Sequence, residues 1–395
     1  MKLQTVIKNN MEFLKGEPTV YFSPGRVNLI GEHIDYLGGN VFPTAIHLGT
    51  YAFITPRTDK KLLFLSENFK AFGIKESSLD DLSYKEVDNW INYPKGMFDA
   101  LIKLGHNIDH GFNILIYGTL PNSAGLSSSA SLEVLIGTML NNEFNLNIDM
   151  IDIVKISQKV ENQYMGVNCG IMDQFAVGMS KDQKAIYLNT DTLEFSYVPL
   201  VMGEYTLLIA NTNKKRALAD SKYNERRSEC DAGLEILQAN GVKIKELCDM
   251  DENMFEEVKD YLDNPIIKNR VEHAVKENQR VIKAVQALEQ SDIELFGELL
   301  NQSHESLRDL YEVSCKELDT LVASFRTHGA IGSRMTGAGF GGCTISVLKT
   351  NEVDSIISKV KQEYKNAIGY NADFYLVKTS DGAKKLESGE IKWMY

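Results

Sequence analysis

The sequence predicts an α+β protein of two domains, and two observations carry that prediction. With 395 residues, 43% of them hydrophobic and 24% charged, the chain is long enough for two ordinary globular cores. Its texture then changes near Val201 and Tyr205: strand-like alternation dominates residues 1–200, whereas long helical periodicities interrupted by a few strands fill 201–395. The second pattern fits helices on one face of a small antiparallel sheet.

The elements follow in order. Residues 1–16 set Val6, Met11 and Leu14 on one helical face among Lys, Asn and Glu, which is not a signal-peptide core. A Pro24-Gly25 turn opens a loop over 23–39. Strands are expected over 40–60 and again, as a strand or hairpin, over 60–72; a helix is expected over 90–104. Phe112, Ile114 and Ile116 alternate as in a strand, and Leu132, Leu135, Ile136, Met139 and Leu140 recur as one buried helical face. Ile153, Ile156, Val160 and Tyr164 mark a helix ending near Gly166. Beyond the boundary, helices are expected over 217–237, 252–262, 269–288, 292–300 and 316–325, with strands over 205–210, 330–335, 343–348 and 373–377.

Between the strand ending near Leu120 and the helix after it lies Pro-Asn-Ser-Ala-Gly-Leu-Ser-Ser-Ser-Ala-Ser, residues 121–131. Unpaired N–H groups and the positive end of the macrodipole collect at that helix start, so the stretch suits phosphates. Small residues allow close backbone approach, and the Ser hydroxyls can donate to phosphate oxygens or sit on magnesium. The loop has no Lys and fits neither GxxxxGK[ST] nor GxGxxG. Taken alone, it also reads as a Ser-rich helix cap.

Three further stretches carry chemistry. Arg26, Glu32, His33 and Asp35 crowd one Gly-bounded loop, a mixture that suits a ligand with several hydroxyls, or else charges that pair among themselves at the surface. Asp173, in Gly-Ile-Met-Asp-Gln-Phe, is either a helix N-cap or a working carboxylate in a cleft. Residues 336–343, Thr-Gly-Ala-Gly-Phe-Gly-Gly-Cys, leave a loop nearly free of side chains between two strands.

Composition excludes other roles. The net charge of −12 argues against nucleic acid or an acidic membrane as the main partner, and no apolar run approaches the length of a membrane span. Five scattered cysteines without a CxxC pair point to a reduced, cytoplasmic protein. His106 and His110 have zinc-like spacing but no further ligands, and the acidic stretch 249–253 lacks the central Gly of a calcium loop. Lys214, Lys215 and Arg216 read as a solvated charge run.

Taken together, Gly-Arg-Val-Asn-Leu-Ile-Gly-Glu-His-Ile-Asp-Tyr (25–36), Gly-Leu-Ser-Ser-Ser-Ala-Ser (125–131) and the Gly loop at 336–343 resemble the three motifs of the galactose, homoserine, mevalonate and phosphomevalonate (GHMP) kinase superfamily. Gly-Ile-Met-Asp-Gln (170–174) and Tyr-Asn-Glu-Arg-Arg-Ser-Glu-Cys (223–230) narrow the resemblance to its galactokinase branch. It implies a two-lobed architecture, with a ribosomal-protein-S5-domain-2-like lobe, a ferredoxin-like α+β lobe and the active site between them. It implies ATP-dependent phosphorylation of the C1 hydroxyl of D-galactose, with ATP and Mg2+ bound and no obligate protein partner. Asp173 would be the base and Arg26 its neighbour at the reacting hydroxyl. Glu32, His33, Ile34, Asp35, Gly170, Asp173 and Tyr223 would hold the sugar. Ser123, Ala124, Gly125, Leu126, Ser127, Ser128 and Ser129 would hold the nucleotide, with Ser129 and Glu161 on magnesium.

The chain departs from that pattern at Ile34, where Thr is usual, at Leu37, where Asn is usual, and at Ser123, where Gly is common. The resemblance leaves room for a relative acting on another sugar, such as N-acetylgalactosamine or arabinose. It also leaves room for a sugar sensor without turnover, although the Ser-Ser-Ser-Ala-Ser run that such sensors lack in part is complete here.

Overall fold

The computed structural model describes residues 2–121, 125–214 and 219–393. Strands of its first half are β1 (Thr19–Asn28), β2 (Asn40–Val41), β3 (Pro43–Pro56), β4 (Lys61–Ser66), β5 (Lys75–Ser78), β6 (Phe112–Gly118), β7 (Lys184–Asn189) and β8 (Phe195–Pro199). β1, β3, β6, β4 and β5 lie side by side in that order, and β2, β7 and β8 make a small second sheet. The expected turn at Pro24-Gly25 is instead a register shift inside β1. Proline has no N–H for the ladder, so a bulge accommodates it without ending the strand.

The helices of this half are α1 (Leu3–Asn9), α2 (Met11–Leu14), α3 (Asn92–Lys103), α4 (Ser128–Glu143), α5 (Met150–Lys159) and α6 (Met172–Met179). Every residue of α4 from Ala130 to Leu140 is buried, because the helix runs beneath β1 and β3 with α3, α5 and α6 around it. The single amino-terminal helix expected from periodicity is broken at Asn10, whose side-chain amide donates to the Val6 carbonyl at 2.8 Å. Val6 and Leu14 remain buried, but Met11 turns outward and is 44% exposed.

The second half opens with β9 (Tyr205–Asn211) and continues through α7 (Ala219–Ala239), α8 (Glu252–Val258), α9 (Pro265–Glu289), α10 (Ile293–Asp309) and α11 (Lys316–Thr327). It ends with β10 (Gly332–Thr336), β11 (Cys343–Lys349), α12 (Val353–Ile368) and β12 (Asp373–Leu376). The sheet order is β10-β11-β9-β12, all antiparallel, so the first strand lies between the third and fourth as in a ferredoxin-like split βαβ unit. The expected elements omit α12, although Val353, Ile356, Val360 and Tyr364 bury one face at helical spacing.

Helices cover this sheet on both faces, not one. Leu207 and Ile209 pack with Phe296 and Leu300 of α10, while Leu208 and Ala210 pack with Leu321 and Phe325 of α11 and Val360 of α12. The tail does not stay with this half. β13 (Lys384–Lys385) returns to pair with β1 at Tyr21 and Phe22, covering a sheet edge that would otherwise lie open, and α13 (Ser388–Trp393) follows.

One core spans both halves: Val27, Ile34 and Phe42 share a cluster with Val281, Leu300, Met335 and Ile345. The loops carrying the sequence motifs meet along this seam.

Candidate active site

Arg26 leaves β1 just past the bulge and meets Asp173 in the first turn of α6. Its Nε donates to Oδ1 and its Nη2 to Oδ2, both at 2.9 Å, while Nη1 donates to the Gly125 carbonyl at 2.8 Å. Ser127 stands as N-cap of α4 in the left-handed region, φ 59°, and its hydroxyl donates to Asp173 Oδ2 at 2.5 Å. The N-cap of α6 is Ile171, so Asp173 is not a cap, and its side chain stays 31% exposed while Arg26 is 5%. It is a carboxylate held from two sides with one side open.

Asp35 is half-buried nearby. Burial, then the charges of Asp173 and Glu32, push its carboxyl up to about 7. A β-carbon at Gly170 would lie 2.0 Å from Asp35 Oδ2, so only glycine admits the carboxylate there. The Tyr223 ring lies 5.4 Å from those of His33 and Tyr36, completing one wall.

Glu32 and His33 face the second half. Glu32 Oε1 accepts from Gly337 N at 2.5 Å and from the Thr336 hydroxyl at 3.0 Å, and Oε2 accepts from the Asn28 amide. His33 holds a left-handed backbone, φ 62°, with Nε2 3.1 Å from the Ala338 carbonyl and Nδ1 2.8 Å from the Tyr36 hydroxyl. A carbonyl only accepts, so Nε2 carries the proton and Nδ1 accepts from Tyr36. Burial, then neighbouring His273, pulls the imidazole down to about 3. Ile34 was expected beside the sugar, but its side chain is fully buried in the core, as is that of Leu37 at 2% exposure. Both apolar departures therefore pack inward and leave the cleft polar.

Sequence reasoning expected the helix over 269–288 but missed that its polar residues hold this loop from behind. Gly31 N donates to Glu277 Oε1 at 3.0 Å, Asn40 N to Asn278 Oδ1 at 2.9 Å, and His273 Nε2 lies 3.2 Å from the Glu32 carbonyl. The available signal was His and Glu at i, i+4 on the apolar face of α9, where Ala274 and Val281 are buried.

At the α4 start, Ser128 is exposed and Ser129 half-buried, whereas Leu126 is buried with its carbonyl accepting from Arg26 N at 3.3 Å. Ser123 and Ala124 lie outside the described residues. Glu161 lies beside Ser129, and burial pushes its carboxyl up to about 7. Behind it, burial and then the Glu161 charge raise Glu133 well above the carboxylate range. Gln174 Nε2 donates to Glu161 at 2.6 Å and lies 3.4 Å from Glu133. Among the described residues, Oε1 of Glu133 and Oε1 of Gln174 are buried without hydrogen-bond partners.

The Gly loop after β10 closes the seam. Gly337, with φ 84°, lies so near the phosphate-type loop that a β-carbon would sit 2.8 Å from the Gly125 carbonyl. Elsewhere, His110 pairs with Asp109, Lys214 with Glu317, and Asp249 caps its own turn; Lys215 and Arg216 lie outside the described residues. Among the described residues no group of three His, Cys, Asp or Glu could hold a metal ion by itself. Among them, too, no helix is long and apolar enough to cross a membrane.

Comparison with known proteins matches residues 92–181 to the GHMP kinases N terminal domain, 11–56 to the galactokinase galactose-binding signature and 284–366 to the GHMP kinases C terminal domain. The galactokinase of Clostridium beijerinckii is 56% identical, over 95% of this chain and 96% of its own. That of Clostridium acetobutylicum is 54% identical, over 98% and 97%. The crystal structure of Lactococcus lactis galactokinase complexed with galactose superposes with TM-score 0.94 at 43% identity, covering 97% of this chain and all of that one. A mevalonate kinase structure matches at TM-score 0.65 and 20% identity, a likeness of fold.

Proposed function

Because the chain belongs to the galactokinases, within the GHMP kinases, we propose that its cleft transfers the γ-phosphoryl group of ATP to the C1 hydroxyl of D-galactose, giving α-D-galactose 1-phosphate and ADP. The observation that carries the reading is the Asp173 carboxylate, gripped by Arg26 and Ser127 at the amino end of α4.

Phosphoryl transfer asks a protein to align the attacking oxygen with the γ-phosphate and to balance charge on the equatorial oxygens. In this reading Asp173 orients the C1 hydroxyl and accepts its proton, while the two Arg26 donors hold the carboxylate in place. The guanidinium also lies on the phosphate side, tied to Gly125, where it balances charge on the transferring group. The phosphates lie against residues 123–129 and the positive end of α4. Asp35, beside Gly170, and Tyr223 take sugar hydroxyls. Glu32, His33 and the Ile34 backbone shape the wall behind them.

Ser129 and Glu161 fit a magnesium ion: both offer oxygen, and magnesium in such sites takes few protein ligands, with phosphate and water completing its shell. When bound, the ion neutralises charge on the phosphate oxygens. The reading takes residues 1–200 as the lobe holding sugar and phosphates and 201–395 as the lobe closing on them, the tail strand β13 excepted. None of the five cysteines is in a disulfide among the described residues, which supports a reducing, cytoplasmic setting.

The test is coupled ADP release with magnesium-ATP and galactose, N-acetylgalactosamine, arabinose, glucose, mevalonate and homoserine. Galactose is expected to give the highest kcat/KM, with the phosphate on C1 by NMR. Another sugar markedly exceeding it overturns the assignment.

A further inference from the structure

Arg334 is fully buried on β10, in the second half of the chain, yet among the described residues every hydrogen-bond and ion-pair partner of its guanidinium lies in the first motif. Nη1 donates to the carbonyls of Asn28 at 3.0 Å and Leu29 at 2.8 Å, and Nη2 lies 3.2 Å from Glu32 Oε2. Two residues on, and so on the same side of the strand, the Thr336 hydroxyl is 3.0 Å from Glu32 Oε1 and accepts from Asn28 N at 3.3 Å. β10 is itself fixed, pairing along its length with β11 from Gly332 to Thr336.

A rigid strand therefore grips the backbone where β1 ends, immediately before the loop carrying Glu32, His33 and Asp35. The planar guanidinium suits this place, since Nη1 donates to two carbonyls while Nη2 faces the Glu32 carboxylate as an ion pair, whereas an ammonium ion has no fixed fork.

We propose that Arg334 is a positioning residue for the sugar: from the second half of the chain it holds residues 28–35 in the shape that binds galactose. The inference rests on the galactokinase reading above. It separates sugar from nucleotide, because the contacts of Arg334 reach the sugar loop and not the phosphate loop.

The test is steady-state kinetics of Arg334→Met, Arg334→Lys and Thr336→Val, with each substrate varied in turn. Arg334→Met is expected to raise the galactose KM about tenfold or more while the ATP KM and saturating kcat stay within about threefold. Arg334→Lys is expected to fall between it and the parent, because lysine keeps the charge beside Glu32 but loses the fork. Should the Met variant not fold, Arg334→Lys and Thr336→Val carry the test, each with a raised galactose KM. A lowered kcat with galactose KM unchanged is the mark of a smaller folded fraction and overturns the proposal, as do variants identical to the parent. A parent protein that turns over ATP with another sugar and not with galactose overturns the functional reading itself.

Discussion

Arg26 meets Asp173 through two parallel hydrogen bonds, Nε to Oδ1 and Nη2 to Oδ2, each 2.9 Å long. The pairing fixes the plane of the carboxylate and leaves its open side to the cleft. Asp173→Ala is expected to lower kcat by about a thousandfold or more, because orientation, proton acceptance and the placement of Arg26 are lost together. Arg26 keeps its bond to the Gly125 carbonyl, so the fold is expected to survive, with galactose still binding by calorimetry. Near-normal turnover would remove Asp173 from the mechanism.

Ser127 supplies the third bond to that carboxylate, at 2.5 Å. Its hydroxyl caps no helix amide, so Ser127→Ala is expected to leave the thermal midpoint within about 1 °C. The loss of one charge-assisted bond is expected to lower kcat about tenfold. A fall in ATP affinity with kcat unchanged would return Ser127 to the phosphates alone.

The local patterns were legible where one residue type answers one local need. Alternation gave β6, helical spacing gave α4, and clustered glycines gave the loop after β10. Asp173 was ambiguous because a carboxylate at a helix start also reads as a cap; the N-cap at Ile171 and the contact with Arg26, far away in sequence, decide the matter. The family resemblance alone places Ile34 at the sugar; in a loop held from behind by Glu277 and Asn278 its side chain turns into the core. His273 and Glu277 share the apolar face of α9, which marks them as buried, but their partners, like those of Arg334, lie hundreds of residues away, and local periodicity names no partner.

Gly170 is defined by what it lacks. A β-carbon there would lie 2.0 Å from Asp35 Oδ2 and 2.4 Å from its Cγ, far inside contact distance, so Gly170→Ala must displace the carboxylate. The expected outcome is a galactose KM raised about tenfold or more with ATP KM nearly unchanged. An unchanged galactose KM would show that Asp35 is free to move without cost to the sugar site.

Asp35 also bears on stability. Its carboxyl is pushed up to about 7, first by burial and then by the charges of Asp173 and Glu32, whereas an aspartate in the unfolded chain titrates near about 4. Between those values the folded state holds a proton that the unfolded chain has released, so this group's contribution to stability falls as pH rises through that window. Above it, folding carries the full cost of an ionised, half-buried carboxylate. Asp35→Asn removes the titration, so the midpoint of the variant minus that of the parent, without ligands, is expected to grow by about 2 °C from pH 5 to pH 8. Taking the difference cancels the acids common to both proteins. The same substitution is expected to raise the galactose KM, since the carboxylate that destabilises the empty cleft is the one the sugar hydroxyls use. A difference that does not change with pH would mean that Asp35 ionises as it would in water, its repulsion from Asp173 and Glu32 relieved by solvent in the cleft.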